Sequence, residues 1–325
     1  MNAFDPTDAA TSGAPAVAGQ GPSGPPAAPG CDPVGDPLAA LAQGGVIAVV
    51  TGVEGPHYRA PGAFMAFPAG GGAVGQLSSG CIEADLALHA AEVAASGRMR
   101  RLRYGQGSPF VDLALPCGGG LDVALVPVPD PAPVAAALAR RAARRPALLR
   151  LSEDGLALDD TGTAAGFALR LVPPVQCLTA GAGVEALVFA ALAAAAGHPV
   201  RLATPDPATA RAAAARGVPV TMLAPGATGL GADPDPWTAV VLFFHDHDRE
   251  PPLLARALRS PAFYVGAQGS LRTHRARVAA LAALGVPDDA IARLRGPIGL
   301  IPSARDPQVL AVSVLAEILA MAPRE

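Results

Sequence analysis

Two of the four cysteines stand where a thiol could do chemistry. Cys81 lies in Gly75-Gln-Leu-Ser78-Ser79-Gly80-Cys81-Ile82-Glu83, and Cys117 in Leu115-Pro116-Cys117-Gly118-Gly119-Gly120. Both turns are rich in glycine. A helix is expected from residue 82, so Cys81 would stand at its amino end. Backbone N–H groups and the helix dipole there draw a thiol pKa down from about 8.5. A thiolate so placed is a soft ligand for a soft metal or sulfur centre. The competing reading is a compact hydrophobe filling a tight turn. That reading is adopted for Cys177, which falls inside an apolar strand. Cys81 and Cys117 are taken as candidate metal ligands.

Three further segments carry candidate chemistry. Residues 175–186 contain Gly181-Ala-Gly183-Val-Glu-Ala186, a GxGxxA turn after a strand and before a helix, as in dinucleotide-binding folds. Gly181 would permit the tight turn, and Gly183 would let a phosphate approach the backbone. The alternative is a turn that merely packs helix on strand. The next strand ends in Thr204, where an acid would be expected to hold a ribose, and Asp206 comes two residues late. A second glycine turn, Tyr264-Val-Gly266-Ala-Gln-Gly269-Ser270-Leu-Arg272-Thr273-His274-Arg275, also joins a strand to a helix. Its Arg272, His274 and Arg275 would oppose the helix dipole unless an anion were bound there; otherwise they form a solvated basic face. The third segment, His245-Asp246-His247-Asp248, follows a strand. It is either a metal site or loop and cap chemistry, with Asp248 near a helix start.

Elements must hold these residues. The 325 residues suggest about two domains. Residues 1–36 are small, Gly- and Pro-rich and aperiodic, and are expected to be a disordered tail that includes Cys31. Residues 37–146 read as a smaller mixed α/β domain. Strands are expected at 46–51, 63–67, 73–77 and 121–128, a helix at 82–96 stopped by Gly97, and a helix at 134–145. Residues 147–174 read as a strand-rich connector with a turn at Asp154-Gly155. Residues 175–325 alternate strand and helix, which implies a Rossmann-like parallel sheet covered on both faces. The fold class is therefore α/β.

Composition excludes several functions. All 24 basic residues are arginine. Without lysine there is no Walker-type phosphate loop, no Schiff-base lysine and no ordinary pyridoxal site. A net charge of −3 argues against nucleic-acid binding. The longest apolar stretch, residues 186–197, is far short of the about 20 residues that span a membrane. The first basic residue is Arg59, so no charged signal-peptide start is seen. A cytoplasmic protein with reduced thiols is expected.

Taken together these motifs resemble the XdhC/CoxI family, accessory proteins of xanthine dehydrogenase and related molybdenum hydroxylases. The N-terminal match runs through Glu54-Gly55, Arg59, Pro61-Gly62, Met65, Gly75, residues 78–83 and residues 116–119. The C-terminal match runs through Gly181-Ala-Gly183, His245-Asp246, residues 264–270, Arg272-Thr273-His274, Arg277, residues 297–300 and residues 312–318. Together they cover about residues 37–322. Three departures stand out. Ser79 replaces a glycine of the family's SxSGGCxE pattern, Val184 replaces a frequent histidine, and residues 301–307 replace a DIGAxTP-like segment.

The resemblance implies a chaperone that binds the molybdenum cofactor (molybdopterin) transiently, holds it during sulfuration and inserts it into an apo molybdenum hydroxylase large subunit, with a cysteine desulfurase as second partner. Its site residues would be Cys81 and Cys117 at the metal, with Gly80, Glu83, Gly118, Gly119 and Arg59 around them. Gly181, Gly183, Gly266, Gly269, Ser270, Arg272 and His274 would be further cofactor-binding positions. A strongly anionic pterin needs N–H donors and guanidinium groups, which glycine loops and arginines supply. Two rivals stand beside this reading: an NAD(P)-dependent oxidoreductase using the GxGxxA turn, and a cofactor-free adaptor between hydroxylase and desulfurase. A homodimer is left open.

Overall fold

The computed structural model describes residues 31–108, 118–153, 155–163 and 165–323. Cys117, Asp154 and residues 1–30 of the expected tail lie outside them. The chain forms two compact units.

The N-terminal unit is built on a mixed six-stranded sheet in the order β1-β4-β3-β2-β6-β5. Its strands are β1 (Cys31–Asp32), β2 (Gly45–Glu54), β3 (Phe64–Pro68), β4 (Ala73–Val74), β5 (Arg100–Gly105) and β6 (Gly120–Val128). A short helix, α1 (Pro37–Ala40), starts on an Asp36 cap. β2 is a run of β-branched residues whose positions 46–50 are all buried, which suits a central strand. The helix α2 (Glu83–Ser96) packs Leu86, Ala90 and Val93 onto Val46, Ala48, Val123 and Leu125. It ends at Gly97, whose φ of 65° forms the left-handed stop. β1 corrects the expected tail: Cys31 and Asp32 pair in parallel with Ala73 and Val74. β5 was not anticipated. Its sequence RRLRYG buries only Leu102 and Tyr104, too few apolar residues for a period-2 signal, and the alternating arginines suit a sheet edge.

Next come α3 (Ala132–Ala142) and a three-stranded sheet, β8-β7-β9, made of β7 (Ala147–Ser152), β8 (Gly155–Leu158) and β9 (Phe167–Leu171).

The C-terminal unit is a parallel sheet in the order β12-β11-β10-β13-β14-β15. These are β10 (Gln176–Gly181), β11 (Val200–Thr204), β12 (Val220–Met222), β13 (Thr238–Phe243), β14 (Tyr264–Ala267) and β15 (Leu294–Arg295). Its helices are α4 (Val184–Ala195), α5 (Pro207–Ala214), α6 (Glu250–Leu258), α7 (Leu271–Ala283), α8 (Asp288–Ile291) and α9 (Pro307–Met321). Alternate residues of the central strands serve different cores. Leu178, Val240 and Leu242 pack with Leu254 and Leu281 from α6 and α7. Cys177, Val241 and Phe243 pack with Phe189 and Val314 from α4 and α9. The doubly wound, Rossmann-like arrangement anticipated from the alternating pattern is therefore present. No helix among the described residues is long and apolar enough to cross a membrane.

One buried ion pair ties α6 to α7. Arg277 Nε donates to Glu250 Oε2 at 2.6 Å and Nη2 donates to Oε1 at 2.9 Å. Nη2 also donates to the Gln268 carbonyl at the end of β14. Both residues are almost wholly enclosed, at 3% and 0% exposure. Removing one partner strands a buried charge, which costs about 3–5 kcal/mol. Glu250→Ala is therefore expected to lower the unfolding free energy of the C-terminal unit by that amount, read from its urea transition, while Arg256→Ala on the exposed side of α6 changes it little.

Candidate functional site

The turn before α2 is organised by a carboxylate. Glu83 is 7% exposed. Its Oε1 accepts the N–H groups of Leu77 at 3.1 Å and Ser78 at 2.6 Å. Its Oε2 accepts the Ser78 hydroxyl at 2.6 Å and the Ile82 N–H at 3.3 Å. The Ser78 oxygen in turn accepts the Cys81 N–H at 2.9 Å and the Ile82 N–H at 3.2 Å. Two side chains thus satisfy four backbone donors of one loop, including donors at the uncapped amino end of α2. Tyr104 on β5 anchors the same end, its hydroxyl donating to Asp85 at 2.6 Å. Burial, then the bond to Asp85, pushes that phenol far above its ordinary pKa.

This frame presents Cys81 half-buried at the rim of the core. Beside it Gly80 adopts a φ of 98° and faces open space. Arg59 is exposed and donates through Nε to the Gln76 carbonyl at 3.3 Å, which leans its loop onto the Cys81 turn. On the other side of β2, Gly119 packs so closely on the loop after that strand that a Cβ would stand 1.9 Å from the Pro56 carbonyl oxygen. Gly118, next to Cys117 in the chain, has open space around it. The Gly118-Gly119, Arg59 and Cys81 loops therefore gather at one end of the sheet, where β2 finishes and β6 begins. Arg59, Gly80, Cys81 and Glu83 belong to linked loops, and Gly119 lies against the loop after β2 that carries Arg59. The sulfur of Cys117 lies outside the described residues.

The C-terminal segments differ in kind. Gly181 is buried in β10, where a Cβ would meet the Phe243 carbonyl oxygen at 2.2 Å, so close strand packing accounts for it. The Gly183 N–H donates to Thr209 Oγ1 at 3.0 Å. The Thr209 hydroxyl donates to Asp206, which also caps α5 by accepting from Ala208 and Thr209 N–H groups. Those bonds, the Thr209 hydroxyl's first, hold the Asp206 carboxyl below the usual range. A cleft of about 480 Å³ lies over this turn, lined by Gly183, Asp206, His245 and Arg249 among others. Within it, the N–H that would meet a pyrophosphate and the acid nearest a ribose position are both engaged in folding. Thr209 was not anticipated; a threonine three residues after a capping Asp is its sequence signal.

The second glycine turn needs correction. β14 runs through Gly266 and Ala267, which pair with Val241 and Leu242, so the turn begins only after them. Gly266 is thus buried in the strand. Ser270 caps α7, accepting the Thr273 N–H at 3.2 Å, and Gly269 lies against the Arg277 guanidinium. His274 turns inward against Gly296, and burial, with Arg277 nearby, lowers its pKa. Both effects favour the neutral imidazole in the free protein. Arg272 and Arg275 are exposed. In the 245–248 segment it is Asp246, not Asp248, that caps, accepting the Asp248 N–H at 3.3 Å. His245 stands 3.4 Å from Glu185, and His247 stands 3.2 Å from Glu250. Among the described residues no three His, Cys, Asp or Glu side chains could together hold a metal ion.

Cys177 is fully buried, and desolvation pushes its thiol up to about 12. In native protein at about pH 8, iodoacetamide should therefore label Cys81 and leave Cys177 unmodified until the chain unfolds, as peptide mass analysis can read. The raised folded-state value also has a sign in stability. The contribution is fully present below the unfolded thiol's about 8.5. It is lost as pH rises toward about 12. Urea midpoints should fall over that window, and less in Cys177→Ala.

Residues 38–105 match the model of the XdhC and CoxI family, and residues 178–318 match that of the XdhC Rossmann domain. The chain is 36% identical over 283 residues to the molybdenum cofactor insertion chaperone PaoD of Escherichia coli, covering 85% of this chain and 83% of PaoD. It is 35% identical over 94 residues to the uncharacterized protein YqeB of the same organism, covering 29% of this chain and 17% of YqeB. A solved Bacillus halodurans chain described as a xanthine dehydrogenase superposes with a TM-score of 0.70 at 23% identity, covering 87% of this chain and 93% of that one. That last likeness is one of fold.

Proposed function

The chain belongs to the XdhC and CoxI family, and from that premise we propose that it is a carrier that receives a molybdenum cofactor at the Cys81 turn and delivers it to a molybdenum hydroxylase. The observation that carries the reading is the Cys81 turn itself. Glu83 and Ser78 consume the loop's inner donors, so the turn keeps its shape without a ligand, while the thiol and the space beyond Gly80 remain open. A preformed site loses little ordering entropy on binding.

The donors suit the cargo. A dithiolene-bound molybdenum is soft and the pterin phosphate is anionic. Cys81 offers a soft sulfur ligand. Arg59 offers a guanidinium for the phosphate, and Gly80 and Gly118, with open space beside them, let the backbone come close to it, while Gly119 seats the loop after β2. Cys117, directly before Gly118, is proposed as the second sulfur of the same site. The cofactor brings the metal and its exchangeable sulfur; the chain binds, orients and shields it. Sulfuration beside a cysteine desulfurase and transfer to the apo-hydroxylase large subunit are the further steps of this proposal. The nucleotide reading has less support, because the Gly183 N–H and Asp206 are already engaged.

Protein purified from cells that make the cofactor should contain molybdenum and oxidisable pterin approaching one per chain. Cys81→Ala should lower both by at least about tenfold, no less than the 10–100-fold cost typical of weaker, outer-shell perturbations. Arg59→Ala should lower them less. A cofactor-free adaptor would instead show neither molybdenum nor pterin and would capture its partners equally well without Cys81.

A further inference from the structure

The Gly269–Ser270 turn at the start of α7 contains a buried donor that the fold does not use. Arg277 gives Nε and Nη2 to Glu250, and Nη2 also to the Gln268 carbonyl. Its remaining nitrogen, Nη1, is enclosed and meets no acceptor. The residue is 3% exposed, so no bulk water reaches that atom. Glu250 occupies one edge of the guanidinium, and the edge between Nη1 and Nη2 faces the turn. A Cβ on Gly269 would stand 3.2 Å from each of those nitrogens. The backbone of the same turn is also free. Ser270 caps α7 through one bond, from the Thr273 N–H. The N–H groups of Gly269, Ser270, Leu271 and Arg272 find no acceptor among the described residues. A cleft of about 280 Å³ opens on this turn. Its wall includes Gly269, Ser270, Pro297, Ser303 and Arg305, and no carboxylate lines it.

Charge around the turn has one sign. α5 and α9 start on an aspartate, whereas α7 starts on a neutral serine, has no acid in its first turn and carries Arg272 and Arg275. Cations at that end oppose the helix dipole. Arg272, Arg275 and Arg305 are exposed, and none pairs with a carboxylate among the described residues. The acid beside Arg305, Asp306, is turned to the Gln308 and Val309 N–H groups of α9. A buried donor without a partner calls for a bound water or ion. Beside free backbone N–H groups at a helix start and an unpaired guanidinium, the complement is an oxyanion with several acceptor oxygens. From these donors we infer that the turn binds a dianionic phosphate group, either inorganic phosphate or the monoester of a small molecule. The N–H groups of residues 269–272 cradle it, Arg277 Nη1 supports it from beneath Gly269, and Arg305 closes the open side. The cleft is smaller than the about 300–1,000 Å³ of sites for larger organic ligands, so the phosphate is the main group held. His274, turned toward Gly296, and Gly266, inside β14, take no part. The inference rests on the C-terminal unit alone, so it and the carrier reading can each fail without the other.

Calorimetric titration of the full chain in phosphate-free buffer, with inorganic phosphate and separately with glycerol 2-phosphate, tests it. One saturable site with a Kd of about 1 mM or tighter is expected for at least one of the two. Tighter binding of the ester identifies a phosphorylated small molecule as the ligand, and tighter binding of the free ion identifies phosphate itself. Arg305→Ala changes an exposed loop residue and should weaken binding at least about tenfold, the scale of one hydrogen bond between charged groups. Gly269→Ala sets a methyl group against the Arg277 edge and should weaken it by as much or more. Should that variant fail to fold, as circular dichroism would show, Arg305→Ala decides alone. Arg211→Ala, on the exposed side of α5, should leave binding unchanged. The absence of a saturable site for both ligands overturns the inference. So does binding that survives Arg305→Ala and every folded Gly269 variant, or binding that Arg59→Ala abolishes while Arg305→Ala does not, which places the phosphate at the N-terminal turn.

Discussion

A carboxylate enclosed among its own loop's donors is the constraint on which the N-terminal site depends. Leu77, Ser78 and Ile82 turn their N–H groups toward Glu83, and the Ser78 hydroxyl bridges the same carboxylate to the Cys81 N–H. Buried donors left unmade cost about 1–3 kcal/mol each, so the loop and Glu83 are stable in this arrangement only together. The consequence is geometric. The chain must turn outward at Gly80, and the Cys81 thiol is left at the rim while Ile82 enters the core. The accessibility of Cys81 and the burial of Cys177 follow from position, since the two residues share their chemistry and differ in where the fold puts them.

The Cys81 and Gly183 turns are built in opposite ways. In the N-terminal unit the turn is braced from behind and open in front. In the C-terminal unit the Gly183 turn is closed by the protein's own groups: Thr209 takes the Gly183 N–H, and Asp206 caps α5. At the later glycine turn Ser270 caps α7, and Arg277 lies behind Gly269. A doubly wound sheet positions such turns for ligands, yet here the Gly183 N–H is committed to folding. The unit contributes a rigid parallel core clamped by the Arg277–Glu250 pair.

Much of this was legible in the sequence, for identifiable reasons. The alternation of short apolar strands and helical periods beyond residue 175 announced the parallel sheet, and Ile82, Leu86, Ala90 and Val93 marked the buried face of α2 before any coordinates. The stop at Gly97 and Ser270 at the start of α7 mark helix ends as local chemistry dictates, whereas the caps Asp36, Asp206 and Asp306 went unread. What escaped was non-local or sparse. β5 has two apolar residues among arginines, and β15 has two residues in all, so neither has a period to read. Gly266 looked like a loop residue, because pairing with β13 rather than its own sequence carries β14 past it. The partners Arg277 and Glu250 are 27 positions apart and share no motif. Glu83 was singled out through family likeness, but its bracing role depends on a loop bent back on itself, which no periodicity encodes.

The central claim is that the thiol at this braced turn grips the cargo's metal. X-ray absorption at the molybdenum edge of protein loaded with the cofactor addresses it directly, by counting sulfur neighbours in wild type and in Cys81→Ser at equal molybdenum content. The account predicts that the wild type has more sulfur around the metal than the dithiolene and any sulfido group provide, and that the variant loses one such neighbour. An identical sulfur count in the two proteins would contradict it.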